Sequence, residues 1–166
     1  MSPSRRSPRP RWGLAMTRFA LVGVGSIVSW GVPSEVGVPR LHRVQADTTI
    51  TIRASSSTLE FDPPTIAAKQ GTRVRIRFIN TGTLPHNMVF VKNDDDIDEL
   101  AAAASKAGGN YVPLGLKDKM IASSTLASPG DTVELRFVVP APGVYTYVCL
   151  MSGHSNSMLG TLRSLR

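Results

Sequence analysis

The chain has 166 residues, 42% of them hydrophobic and 19% charged, which is ordinary for a soluble globular protein and leaves room for one core but not two. Its formal net charge of +7 lies almost wholly in the leader. Up to Ala46 there are seven arginines (Arg5, Arg6, Arg9, Arg11, Arg18, Arg40, Arg43) and one acid, Glu35, whereas twelve basic and eleven acidic residues follow from Asp47 on. A nearly neutral domain lacks the basic footprint of a nucleic-acid binder, and that function class is set aside.

Residues 1–46 read as a targeting segment. An arginine-rich start precedes "FALVGVGSIVSWGV", fourteen largely apolar residues that are too short to span a bilayer comfortably. "VQA" at 44–46 is an acceptable cleavage site, "SRR" at 4–6 hints at a twin-arginine signal, and Met16 is an alternative start. The rival reading is an uncleaved membrane anchor with a tether. Both place the 47–166 domain outside the cytoplasm, in a periplasmic or similar compartment that oxidises thiols.

From 47 on the pattern is mostly period two. "TTITIRA" puts Ile50 and Ile52 on one face, and "LEF", "DPP" and the turn "KQG" follow. "TRVRIRFIN" is a half-buried strand, with Val74, Ile76 and Phe78 inward and Arg73, Arg75 and Arg77 outward. "NMVFVK" is the next strand. The segment around 94–107 breaks the rhythm: Ile97, Leu100, Ala101 and Ala104 fall at helical spacing, acids crowd the first turn, and Gly108 and Gly109 can stop it. After the turn "SPGD", "TVELRFVV" alternates Val133, Leu135, Phe137 and Val139 inward. "VYTYVC" and "GTLRSL" are the last strands. Short strands with regular turn signals predict an all-β sandwich or barrel, antiparallel in character, carrying one short helical insertion.

Cys149 is the only cysteine, so no disulfide can form within the chain. By itself it is an inert thiol, an intermolecular link, a nucleophile or a metal ligand. The domain's two histidines, His86 and His154, both lie on loops at strand ends, as does Met158, and loops at one end of a sandwich converge. Two imidazoles, a thiolate and a weak thioether make the blue-copper ligand set. The competing chemistry is a Cys–His nucleophilic enzyme, which gives Met158 no role. Met88 and Met120 read as core or rim residues.

These residues resemble the cupredoxins, in particular the azurins and auracyanins, over essentially all of 47–166. Cys149-x4-His154-x3-Met158 followed by Gly-Thr-Leu is similar to the azurin ligand loop, "HNMVFV" resembles the first ligand with its following Asn, and "APGVYTYVC" looks like an auracyanin. The resemblance implies a Greek-key β-sandwich holding one copper ion that cycles between Cu(I) and Cu(II). Its ligands would be His86, Cys149, His154 and, weakly, Met158. Asn87 would tie the two ligand loops together, and His154 would be the electron port within an apolar patch of Leu84, Pro85, Leu150, Met151 and Leu159. The implied function is electron transfer between larger redox partners by a monomer that is no enzyme, with copper delivery on the same fold as the alternative. Three departures stand out. Pro85 replaces the azurin glycine, which favours four ligands over five. Ser152 replaces a usual proline, and its N–H is expected to add a second hydrogen bond to the Cys149 sulfur, with a lower reduction potential. The azurin disulfide is absent.

Overall fold

The computed structural model describes residues 48–166; the expectations for the leader lie outside the described residues. Among the described residues nine strands form two sheets. The four-stranded sheet has the order β2-β1-β4-β7, from β1 (Thr48–Ala54), β2 (Phe61–Asp62), β4 (Arg73–Asn80) and β7 (Thr132–Val138). The five-stranded sheet has the order β3-β9-β8-β5-β6, from β3 (Thr65–Lys69), β5 (Val89–Val91), β6 (Met120–Ser123), β8 (Gly143–Val148) and β9 (Leu159–Leu165). The expected all-β sandwich is present, but its sheets are mixed. β1 pairs parallel with β4, and β3 pairs parallel with β9, so the antiparallel expectation holds only for the other pairs.

Period two explains the burial. On β4, Val74, Ile76, Phe78 and Asn80 are buried, while Arg73 and Arg77 are exposed and Arg75 is half-buried. Leu135 and Val139 point in from the β7 segment, with Val133 and Phe137 packed against the same core. Phe61, Phe78, Phe90, Phe137 and Tyr147 stack through this core with ring centroids 4.8–5.8 Å apart. Each such pair contributes about 1 kcal/mol beyond area burial. Gly160 on β9 lies under Tyr147: a Cβ there would come within 2.1 Å of the ring, so only glycine lets the tyrosine fold flat. The tyrosine hydroxyl then donates to the Pro63 carbonyl at 2.8 Å.

The helical insertion is a 3-10 turn at Asp94–Asp96 running into α1 (Ile97–Ala104). Leu100 and Ala104 are buried, with Ile97 and Ala101 packed beside them, on a second apolar cluster of Val89, Val91, Val112, Met120, Val148 and Leu150. The insertion therefore covers one flank of the five-stranded sheet and forms with it a smaller, second apolar cluster. Lys119 fastens it by pairing with Asp96 and, at 2.9 Å, with Glu99. Met88 is fully buried and Met120 nearly so, as expected of core residues.

Candidate metal centre

His86 lies in the β4–β5 loop. Its N–H donates to the Ala127 carbonyl at 3.0 Å and its carbonyl accepts the Ala127 N–H at 2.8 Å, so it enters the site as a short ladder rung. Cys149 follows β8, and the loop beyond it closes on itself. The His154 N–H donates to the Met151 carbonyl at 2.9 Å, the Met158 N–H to the His154 carbonyl at 2.8 Å, and the Cys149 N–H to the Met158 carbonyl at 3.1 Å. Gly153 takes φ +82 at the turn, a conformation side chains resist. These bonds bring residues 149, 154 and 158 together before any ligand is considered.

The three polar donors converge. Cys149 Sγ lies 3.8 Å from His86 Nδ1 and 3.6 Å from His154 Nδ1, and the two Nδ1 atoms are 3.2 Å apart. All three residues are buried, at 0%, 2% and 6% exposure for Cys149, His86 and His154. Burial drives both histidines toward the neutral form. The pKa of His86 is lowered to about 4 by burial and then by the neighbouring His154, and that of His154 is lowered by burial. The thiol of Cys149 is pushed up by burial, opposed by backbone N–H donors of Met151 and Asn87 at its sulfur.

This donor set fits a soft-to-borderline metal ion. Two neutral imidazoles that turn Nδ1 lone pairs toward each other at 3.2 Å repel unless a cation or a proton lies between them. Donors bound to one ion at about 2.0 Å to nitrogen and 2.3 Å to sulfur stand about 3 to 4 Å apart. That is the spacing found here. Thiolate with two imidazoles, rather than carboxylates, is the selection expected for copper. Met158 is fully buried, and its carbonyl accepts the Cys149 N–H.

Asn87 joins the two ligand-bearing segments. Its Oδ1 accepts the Leu150 N–H at 2.8 Å, and its amide donates to the Asn110 and Tyr111 carbonyls at 2.9 and 3.1 Å. Tyr111 itself stands at φ +51, a left-handed conformation uncommon for an aromatic residue.

Two expectations need correction. Ser152 does not supply the second donor to the Cys149 sulfur; Met151 does, beside Asn87, because the 151–154 turn leaves Ser152 at an exposed tip. Leu150 is not in the surface patch. It is 1% exposed and packs in the second apolar cluster, since it continues the alternation of β8 away from Cys149. Of the other patch candidates, Leu84 and Leu159 are exposed at 46% and 39%, and Pro85 and Met151 are half-buried. Asn80 escaped notice as a site residue. Its signal was an amide at the inward register of β4, where a buried polar group must find partners.

The comparisons with known proteins agree with this geometry. Residues 48–163 match the family of copper binding proteins described as plastocyanin/azurin. Auracyanin-A of Chloroflexus aurantiacus is 37% identical over 118 residues, covering 69% of this chain and 72% of its own. The chloroplastic plastocyanin of Chlamydomonas reinhardtii is 32% identical over 154 residues, 90% of each chain. The solved structure of auracyanin A, titled a "blue" copper protein, superposes with a TM-score of 0.69 at 35% identity over 72% of this chain and all of its own. The azurin Az-iso2 of Methylomonas sp. strain J gives 0.65 at 25% identity over 73% of this chain and all of its own. A buried cysteine sulfur beside two imidazoles, on a mixed β-sandwich matched from residue 48 to residue 163, places the chain in the plastocyanin/azurin family of copper binding proteins.

Proposed function

We propose that His86, Cys149 and His154 would hold one copper ion, with Met158 as a weaker fourth donor, and that the protein carries single electrons between larger redox partners without transforming a substrate. The observation that carries this reading is the buried convergence of Sγ and two Nδ1 atoms. Bound copper supplies the reversible Cu(I)/Cu(II) couple; the chain supplies the fixed donors. The closed 149–158 loop and the Ala127 rung hold the donors still, so little rearrangement accompanies a change of charge. The fully buried Cys149 keeps water and oxidants from the sulfur. His154 is the most exposed of the three donors, and with Leu84, Pro85, Met151 and Leu159 it forms the face offered to partners. A docking face of this kind makes brief contacts of modest area.

A nucleophilic enzyme is disfavoured, since the Cys149 thiol is buried and its pKa is pushed up. We place the domain outside the cytoplasm as a monomer, delivered or tethered by residues 1–46. The test is Cu(II) titration of the purified protein. An intense visible band from sulfur-to-copper charge transfer, abolished in Cys149→Ser, is expected; a pale product overturns the reading. Fast electron self-exchange of the blue form separates a carrier from a copper-delivery protein.

A further inference from the structure

Asn80 and Gly82 stand behind His86. Asn80 is fully buried, at the end of β4, and its side-chain amide and carbonyl are both used on backbone groups of the loop that carries His86 and of the Ala127 segment bridged to it. Its amide donates to the Leu84 carbonyl at 2.8 Å and to the Ala127 carbonyl at 2.9 Å, and its Oδ1 accepts the Gly82 N–H at 3.0 Å. The Ala127 carbonyl is the same oxygen that accepts the His86 N–H at 3.0 Å. Asn80 and His86 therefore share one acceptor. The asparagine is itself fixed, because its own N–H donates to the Asp131 carbonyl and its carbonyl accepts the Gly130 N–H, both at 2.9 Å.

Gly82 closes the arrangement sterically. A Cβ there would stand 3.0 Å from the Ser55 carbonyl oxygen, 3.2 Å from Asn80 Oδ1 and 3.3 Å from His86 Nε2. The loop thus rests against the outer edge of the imidazole whose inner edge presents Nδ1 to Cys149 and His154. Gly82 and Asn80 have no contact with the donor atoms themselves; they bound the ring from behind and fix the backbone on either side of it.

We infer that Asn80 and Gly82 are positioning residues for His86, forming a rigid cradle that sets where its Nδ1 stands and thereby how copper is held. This rests on the copper reading above, and goes beyond it by assigning the work of orientation to the β4–β5 loop. A residue that merely stabilised the loop would lower the melting temperature and leave the metal complex unchanged. A positioning residue changes the complex, and outer partners of metal ligands typically cost about 10- to 100-fold in affinity when removed.

The experiment uses the full chain with three proteins: wild type, Asn80→Ala and Gly82→Ala. Each is measured for Cu(II) affinity, visible spectrum, electron paramagnetic resonance and apo-protein melting. For Asn80→Ala, at least tenfold weaker Cu(II) binding and a widened copper hyperfine splitting are expected. Gly82→Ala removes no hydrogen bond but crowds the Ser55 carbonyl oxygen, Asn80 Oδ1 and His86 Nε2 together, so its spectrum shifts while its far-ultraviolet dichroism stays native. Should Asn80→Ala fail to fold, Gly82→Ala decides alone. Unchanged affinity and spectra in the folded variants, with only a lower melting temperature, overturn the inference. A wild-type protein that gives no blue complex overturns the copper reading on which it rests, and is told apart because the variants are then not needed.

Discussion

Asn87 Oδ1 accepts the backbone N–H of Leu150 at 2.8 Å, a bond between residues 63 positions apart that lies immediately beside two of the donors. Because the same amide also holds Asn110 and Tyr111, one side chain connects the His86 strand, the cysteine loop and the segment after α1. Asn87→Ala leaves the buried Leu150 N–H without a partner. A loss of about 1 to 3 kcal/mol is expected in denaturant unfolding of the apo protein. The copper complex should change its reduction potential as well.

Met158→Leu tests the axial position. Leucine fills a similar volume in a fully buried place, so the fold should survive with a loss under about 1.5 kcal/mol. Removing the thioether takes a weak donor from the more electron-poor Cu(II) state. The blue band is expected to persist and the reduction potential to rise in protein-film voltammetry. An unchanged potential places the Met158 sulfur away from the metal.

Gly160→Ala should be among the most damaging substitutions outside the site. Its methyl would collide with the Tyr147 ring, which is wedged between Phe61 and Phe90 and anchored by its hydroxyl to Pro63. Destabilisation of about 3 kcal/mol is expected by thermal melting. Pairing it with Tyr147→Phe, which keeps the ring, should give little relief; Tyr147→Leu should give more.

Acid should weaken the apo protein through His86. Its folded pKa of about 4 lies below the ordinary value of 6.5, so between these limits the unfolded chain binds the proton and the native state does not. Stability therefore falls as pH drops from about 6.5 to about 4 and levels off below, as far as this group is concerned. With copper on Nδ1 the proton is kept off to lower pH, and the decline should extend further into acid. Urea midpoints of the apo and copper-bound forms across this range check both statements.

Much of the fold was readable because the strands that bury one face carry period two without interruption. "TTITIRA", "TRVRIRFIN" and "TVELRFVV" became β1, β4 and β7 nearly to the residue. β3, "TIAAK", went unread because Ile66 is its only large apolar residue and two alanines carry no strand preference. β6 was short enough to hide behind the turn that precedes it. The parallel pairings left no local trace, since direction depends on which strands meet. The site was legible for a different reason: scarce residue types on adjoining loops point to chemistry whatever the register. What stayed hidden was support from a distance, in the bond from Asn80 to Ala127 across 47 positions and in the Met151 N–H, whose use depends on how the turn folds.

Cys149 belongs to the main core and Leu150 to the second apolar cluster under α1, although one peptide bond separates them. The sulfur is thus strung at the seam between these two groups of packed side chains, like a string between two tuning pegs. Residues such as Leu100 or Val112, which never approach the donors, hold one of those pegs. Natural or engineered repacking of the helical insertion consequently offers a way to retune the sulfur's position while leaving every ligand in place.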